Sequence, residues 1–393
     1  MLSNLDQQPA DALLALIKLH HDDPRGDKID LGVGVYRTGQ GDTPVFGAIK
    51  AAEQALIDTQ SSKSYLGPEG DMGFVHALMP YIFGAGDPSM GGRIEGMQAP
   101  GGTGAVRIAV ALAKRSGVER IWMGLPSWPN HAQILGDLGV ELKSFAHATT
   151  AGTTDMDALR VAIGLAQPGD AILLHGCCHN PTGIDYSPAQ WDEIANLIAA
   201  ARLLPILDLA YQGLGHGMEE DAYGLRRVLA AVPEALIAYS CDKNFGMYRD
   251  RVGAIYVMAH DGAAVNRVLS NGHALARAAW SMPPDHGGAA VRIILEDAAL
   301  TALWLGELDT MRARMRQVRA KLAEVGQAGA IDLTPLGQQN GLFSVLPLSP
   351  EQILRLRQDH GIYMAGSGRI NAAGLTMDNI DKFIADLAVV SAG

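Results

Sequence analysis

The sequence predicts an α/β fold: a large domain built on a mostly parallel sheet covered by helices on both faces, with a smaller α+β domain attached. Three observations predict it. Short apolar runs alternate with helix-periodic stretches through the middle of the chain, which is the pattern of strand–helix–strand units. Several apolar runs end in a polar residue: His175, Asp208 and Ser240. Beyond about residue 285 the alternation stops, and one long helical run leads into short strands and helices. With 393 residues the chain has room for two or three domains. We place the large domain at residues 43–300 and the small one at 1–42 together with 301–393.

In chain order, Met1 to Asp23 reads as an amphipathic helix with Leu13, Leu14 and Ile17 on one face, and Asp30–Tyr36 as an extended segment. Either could pack onto either lobe. Strands are expected at Arg120–Gly124, Val140–Ser144, Ala171–His175, Leu203–Asp208, Leu236–Ser240 and Val252–Met258. Helices are expected between them at Asn130–Leu138, Met156–Ala166, Pro188–Ala201 and Ala222–Ala231. Trp304, Leu308, Met311, Met315 and Val318 fall at helical spacing within Leu300–Val325. Strands around Leu342–Val345 and Ile362–Met364, with helices Pro350–His360 and Met377–Val389, complete the small domain. In open α/β sheets, ligands bind outside the carboxyl ends of the strands. The ends at His175, Asp208 and Ser240 therefore point to one crevice.

Composition excludes several classes. Hydrophobic residues make up 48% and charged residues 19%, too apolar a balance for disorder. The net charge of −11 argues against a nucleic-acid binder and against a polybasic membrane anchor. No run reaches the roughly 18 apolar residues of a membrane span. Three cysteines, Cys177, Cys178 and Cys241, form no disulfide framework, which points to a reducing cytoplasm.

Six motifs could carry chemistry. Gly101-Gly102-Thr103-Gly104 opens a helix and offers backbone N–H groups to an anion; a tight turn is the plain alternative. His175-Gly176-Cys177-Cys178-His179-Asn180-Pro181-Thr182-Gly183 invites a zinc reading, but adjacent cysteines suit a tetrahedral ion poorly, and no metal is expected. Asn180 there is a ligand contact or an Asx turn. Asp208, with Tyr211 three residues on, needs a cation if buried, unless it caps a helix. Lys243, just past a strand end, could form a Schiff base, with Ser240 and Arg251 beside a phosphate. Arg277 and Arg369 sit in turn contexts suited to carboxylate recognition or to surface ion pairs. Trp128, held between prolines, could stack on a ring or fill a core.

The order of these motifs, and the runs GVGVY, YLG, GGTGA, PSWPNH, HGCCHNPTGID, DLAYQG, KNFGMYRDRVG, SMPPDHG and SGRINAAG, resemble the aspartate and aromatic amino-acid aminotransferases. These are fold-type-I enzymes that use pyridoxal 5'-phosphate. The resemblance covers nearly the whole chain and implies roles position by position. It makes Lys243 the Schiff-base lysine and proton shuttle, and Asp208 the partner of the pyridine nitrogen. Asn180 and Tyr211 become partners of the ring hydroxyl, and Trp128 the stacking residue. Gly101, Gly102, Thr103, Ser240 and Arg251 match the phosphate cup, with Tyr65 contributed from a neighbouring subunit. Arg369 matches the binder of the substrate α-carboxylate, and Arg277, again from the neighbour, that of a distal carboxylate. Gly34, Asn130 and Ser281 match other positions around the substrate. A homodimer with shared sites, acting on amino acids and 2-oxo acids, is implied.

Two departures stand out. The family usually has Ser before the lysine; here it is Asp242. Its carboxylate either raises the pKa of the Schiff base or points away. Met282 stands where aspartate-selective members have Asn, and Trp280 replaces the usual Tyr. Less polarity beside Arg277 favours an aromatic donor with aspartate and glutamate activity retained. A strict aspartate aminotransferase, and a binding protein without turnover, are the alternatives.

Overall fold

The computed structural model describes residues 2–7, 12–84 and 92–392. The chain forms two compact units, Pro44–Ala313 and Met1–Thr43 with Arg314–Gly393. The second boundary therefore falls 13 residues later than the expected 300/301. The helix Ala298–Val325 is continuous through that point, so no loop marks it.

In the larger unit, seven strands form one sheet: β1 (Ile94–Pro100), β2 (Arg120–Leu125), β3 (Glu141–Ala146), β4 (Ala171–His175), β5 (Leu204–Leu209), β6 (Ala235–Ser240) and β7 (Val252–Met258). Their spatial order is β1-β7-β6-β5-β4-β2-β3. Strands β2 to β6 are mutually parallel, whereas β7 runs antiparallel to both β6 and β1. The sequence reading lacked β1, whose glycine and two polar residues obscure the apolar run. Strands β4, β6 and β7 are buried along their whole length, as strands covered on both faces must be. Edge strand β3 is mostly exposed and carries Glu141 and Lys143, charges that blunt an open edge.

Helices cover the sheet. Gly101–Arg115 follows β1 directly and buries Ala105, Val106, Ala109, Val110 and Ala113 in the core shared with Met97, Leu236, Ala238 and Ile255. Helix Pro188–Ala201 starts where its sequence dictates. Ser187 and Gln190 form a reciprocal capping box, and proline occupies the first turn.

In the smaller unit, Ile29–Asp30 pairs in parallel with Ile362–Tyr363, and Phe343–Val345 pairs antiparallel with Arg369–Asn371. Of the expected extended segment Asp30–Tyr36, only Asp30 is strand. Asp30 and Asn371 hold the rest instead, through its backbone: Asp30 accepts from Gly32 N–H, and Asn371 donates to the carbonyls of Val33 and Val35. The first helix is Ala12–Asp22, and its packing face is not the expected one. Leu13, Leu14 and Ile17 are exposed, whereas Leu16 is buried against Gly32, where a Cβ would lie 2.3 Å from the leucine methyl. Buried Arg319 ties the unit together by donating to the carbonyls of Leu336, Gly341 and Phe343 and to Ser344 Oγ. Among the described residues, no helix is long and apolar enough to cross a membrane.

Candidate active site

Strand order fixes where a ligand can sit. From β2 the chain adds β3 on one side, then β4, β5 and β6 on the other, so the carboxyl ends of β2 and β4 flank a topological switch point. The segments leaving β2, β4, β5 and β6 carry Trp128, Asn130, Asn180, Tyr211, Lys243 and Arg251.

Strand β5 delivers Asp208, which is buried and lies opposite His175 of β4 in the ladder. The first turn of helix Pro129–Asp137 delivers His131, which is fully buried. His131 Nε2 lies 2.9 Å from Asp208 Oδ2, and its Nδ1 lies 3.1 Å from Ser127 Oγ. A carboxylate only accepts, so Nε2 carries the proton. The other carboxylate oxygen, Asp208 Oδ1, is buried with no hydrogen-bond partner. Burial alone would push the Asp208 carboxyl up. The His131 hydrogen bond and the fields of His131, His175 and Lys243 outweigh it and hold the carboxyl below its ordinary range.

Lys243 follows β6 in a turn, with Nζ 5.2 Å from the centre of the Tyr211 ring. Burial pushes its amine pKa down, against the upward pull of Asp242 and Asp208; Arg251 adds to the downward push. Asn180 Nδ2 lies 3.5 Å from the Tyr211 hydroxyl, and Asn180 Oδ1 is buried with no partner. The ring of Trp128 meets His131 edge to face at 5.0 Å.

An anion cup forms where β1 passes into helix Gly101–Arg115. Gly101 has φ +69°, and a Cβ there would lie 2.4 Å from Arg251 Nη2 and 2.9 Å from Asp242 Oδ2. A Cβ on Gly102 would lie 2.9 Å from Ser240 Cβ. Two glycines thus let the helix start, Ser240 and Arg251 come together. Free N–H groups, a helix dipole and a guanidinium converge on one point, with Thr103 next in the first turn. Asp242 does not point away. Its buried carboxylate accepts from Arg251 Nη1 at 2.5 Å and from Val252 N–H at 3.1 Å. Burial raises its pKa, against the opposing pull of Lys243 and Arg251.

Other candidates come from other segments. Tyr65 is 91% exposed. Arg277 is exposed at the end of helix Gly262–Ala279, where Nη1 donates to Ser281 Oγ at 2.6 Å. Asn130 is half-buried at the start of its helix. In the smaller unit, Arg369 donates to the Gly32 carbonyl at 2.8 Å and lies 4.5 Å from the Phe343 ring centre. Gly34 packs on the same ring, where a Cβ would come within 2.7 Å.

The sequence reading quoted His131 within a motif but gave it no task. Its signal was the four-residue spacing from Ser127 across a Pro-initiated helix turn. It also missed an array of buried histidines. His131 and His175 lie 5.0 Å apart, His175 and His179 4.4 Å apart, and His179 stacks on His147 at 3.5 Å. Burial pushes His175 down to about 3 and His147 to about 4, and His179 also well down, so these three rings are neutral and stack without charge repulsion. The cluster that suggested zinc is divided. His175 groups with His131 and Asp208, and the two cysteines group with Asp221. Asp221 already accepts three backbone N–H groups, from Gly213, Gly215 and His216.

Comparison with known proteins agrees with this geometry. A family model described as aminotransferase class I and II matches residues 26–387. A tyrosine aminotransferase from Rhizobium meliloti is 50% identical, covering 95% of this chain and 96% of its own. An aspartate aminotransferase from Escherichia coli is 43% identical, covering 97% of both chains. The solved structure of an aromatic-amino-acid aminotransferase from Burkholderia pseudomallei, covalently bound to pyridoxal phosphate, superposes with a TM-score of 0.95 at 34% identity, over 99% of both chains.

Proposed function

Because the chain belongs to the class I and II aminotransferases and is therefore a pyridoxal-phosphate-dependent transaminase, we propose that it transfers amino groups from aromatic and dicarboxylic L-amino acids to 2-oxoglutarate or oxaloacetate, by a ping-pong course that favours aromatic donors. The observation that carries the cofactor's seat is Asp208. One oxygen is held by His131, and the other is buried with no partner. A protonated pyridine nitrogen supplies the missing donor. The unpartnered Asn180 Oδ1 and the glycine-lined cup fit the rest of the same molecule.

When bound, pyridoxal phosphate supplies an electrophilic carbon and a ring that withdraws electrons from the substrate Cα. The chain supplies everything else. Asp208, kept ionised by His131, holds the proton on the ring nitrogen. Asn180 and Tyr211 bind the ring oxygen, and Trp128 stacks on the ring. Backbone N–H groups of Gly101, Gly102 and Thr103, with Ser240 Oγ and Arg251, hold the phosphate. Lys243 Nζ, its pKa lowered by burial, would take up and hand on the substrate Cα proton. Arg369 binds the α-carboxylate, with Gly34 and Asn130 beside the substrate.

Arg277, steadied by Ser281, binds the distal carboxylate, and Met282 with Trp280 gives that position an apolar side for aromatic rings. Tyr65 and Arg277 serve the neighbouring subunit's site, which makes the working unit a homodimer. Their exposure in the single chain supports this. The three buried cysteines, in thiol form, suit a cytoplasmic setting. The test is a steady-state panel with 2-oxoglutarate as acceptor. Higher kcat/KM for tyrosine and phenylalanine than for aspartate, with aspartate still turned over, is the expected result. Negligible aromatic turnover would make the protein a strict aspartate aminotransferase. Yellow protein that no amino acid bleaches would make it a binding protein.

A further inference from the structure

We propose that Asp242 limits the protein's hold on its cofactor by competing with the cofactor's phosphate for Arg251. The proposal rests on the cofactor seat described above. It starts from where this carboxylate goes. Asp242 is buried, its Oδ2 is 2.5 Å from Arg251 Nη1, and its Oδ1 accepts the Val252 N–H. A side chain on Gly101 would come within 2.9 Å of the same Oδ2 and 2.4 Å of Arg251 Nη2. The carboxylate thus reaches the first residue of the helix whose N–H groups line the cup.

The charge count follows. The guanidinium is the cup's full positive charge, and Asp242 supplies a full negative one against it. A phosphate entering the cup must share Arg251 with a carboxylate that cannot move off to solvent. The family's usual residue here, serine, brings a hydroxyl and no charge.

Asp242 has two opposed effects. As a hydrogen-bond acceptor it orients the guanidinium, which helps the phosphate. As a like charge in a partly dry site it repels the phosphate. Coulomb repulsion over a few ångströms in such a site exceeds the gain from orienting one side chain. The repulsion therefore decides the sign, and Asp242 weakens phosphate binding. The effect shows most clearly in the pyridoxamine phosphate form, which Lys243 does not hold covalently. The cofactor of this protein then exchanges with solution between half-reactions.

Two variants test it. Asp242→Asn keeps the shape and an acceptor for Val252 N–H, and Asp242→Ser restores the family's residue. The loaded full chain is converted with an amino donor, and retention of pyridoxamine phosphate is measured by ultrafiltration and cofactor fluorescence. Both variants are expected to bind pyridoxamine phosphate about tenfold or more tightly than the parent, a gain of ~1.4 kcal/mol or more. Inorganic phosphate should displace it from the parent and from the variants in proportion. Pyridoxamine, which lacks the phosphate, should bind all three alike. Unchanged or weaker retention in both variants overturns the proposal, as does an equal gain for pyridoxamine. A parent chain that takes up no pyridoxal phosphate would overturn the cofactor seat itself, a result separate from either of these.

Discussion

Replacing His131 with phenylalanine isolates the contact that holds Asp208. The ring slot is fully buried, between Trp128 and His175 at 5.0 Å each, so phenylalanine fills the space. Two hydrogen bonds disappear: the neutral one to Ser127 Oγ at 3.1 Å and the one to the ionised Asp208 at 2.9 Å. A neutral bond contributes about 0.5–1.5 kcal/mol and one to a charged group about 1.5–3, so the loss is about 2–4.5 kcal/mol. At ~1.8 °C per kcal/mol for a unit of this size, thermal unfolding of the cofactor-free chain should fall by roughly 4–8 °C.

The pH dependence has a definite sign. The folded pKa of Asp208 lies below the ordinary aspartate value of 3.8, so its stabilisation is fully present above 3.8 and is lost as pH falls through the folded value. In His131→Phe the burial of Asp208 stands with less to oppose it, and the carboxyl pKa rises. The deficit should therefore be full at pH 7.5, smaller at pH 5, and smaller in the cofactor-loaded chain, where the ring nitrogen faces Asp208. Differential scanning calorimetry of both forms at the two pH values measures this. An unchanged transition at pH 7.5, or a deficit that ignores both pH and cofactor, would refute the reasoning.

Further expectations concern the rest of the site. Lys243→Ala should lower turnover on the order of a thousandfold or more, because it removes the proposed base; single-turnover bleaching at near-parent rates would contradict this. Gly101→Ala should cost about 1–2 kcal/mol from its left-handed backbone and displace Arg251, so phosphate affinity should fall together with the melting temperature. Parent-like phosphate affinity in that variant would count against the cup. Arg277→Leu should reduce kcat/KM for aspartate roughly 10–100-fold more than for phenylalanine, since only the dicarboxylate loses a charge-assisted bond; equal losses would remove the arginine from substrate recognition. His147 and His175, neutral when folded with pKa about 4 and 3, take protons only on unfolding, below the ordinary histidine value of 6.5. Stability should be intact above pH 6.5 and decline towards pH 4 by about 1.4 kcal/mol per pH unit for each ring. Urea midpoints across that range, with His147→Phe showing a shallower slope, provide the check.

Local pattern made the parallel strands legible. Runs such as Ala171–His175 and Ala235–Ser240 are apolar almost from end to end because both faces are covered. Strand β1 was not legible. Its burial comes from lying beside β7, 152 residues later in sequence when paired ends Pro100 and Val252 are counted, and no local pattern encodes such a partner. The first helix shows the same limit. Periodicity marked its apolar residues, but which of them packs was decided by Gly32 receiving Leu16.

By itself the sequence determined the α/β class and singled out the candidate groups Lys243, Asp208, Asn180 and Arg251 and the turns that present them. These are properties of residue type and short spacing. Tertiary structure alone decided what those groups face. It brought His131 to one oxygen of Asp208 and left the other bare. It turned Asp242 onto Arg251 and stacked His147 on His179. Each of these depends on segments that meet only when the sheet orders its strands, and the energy of a buried charge is set by its neighbours in space.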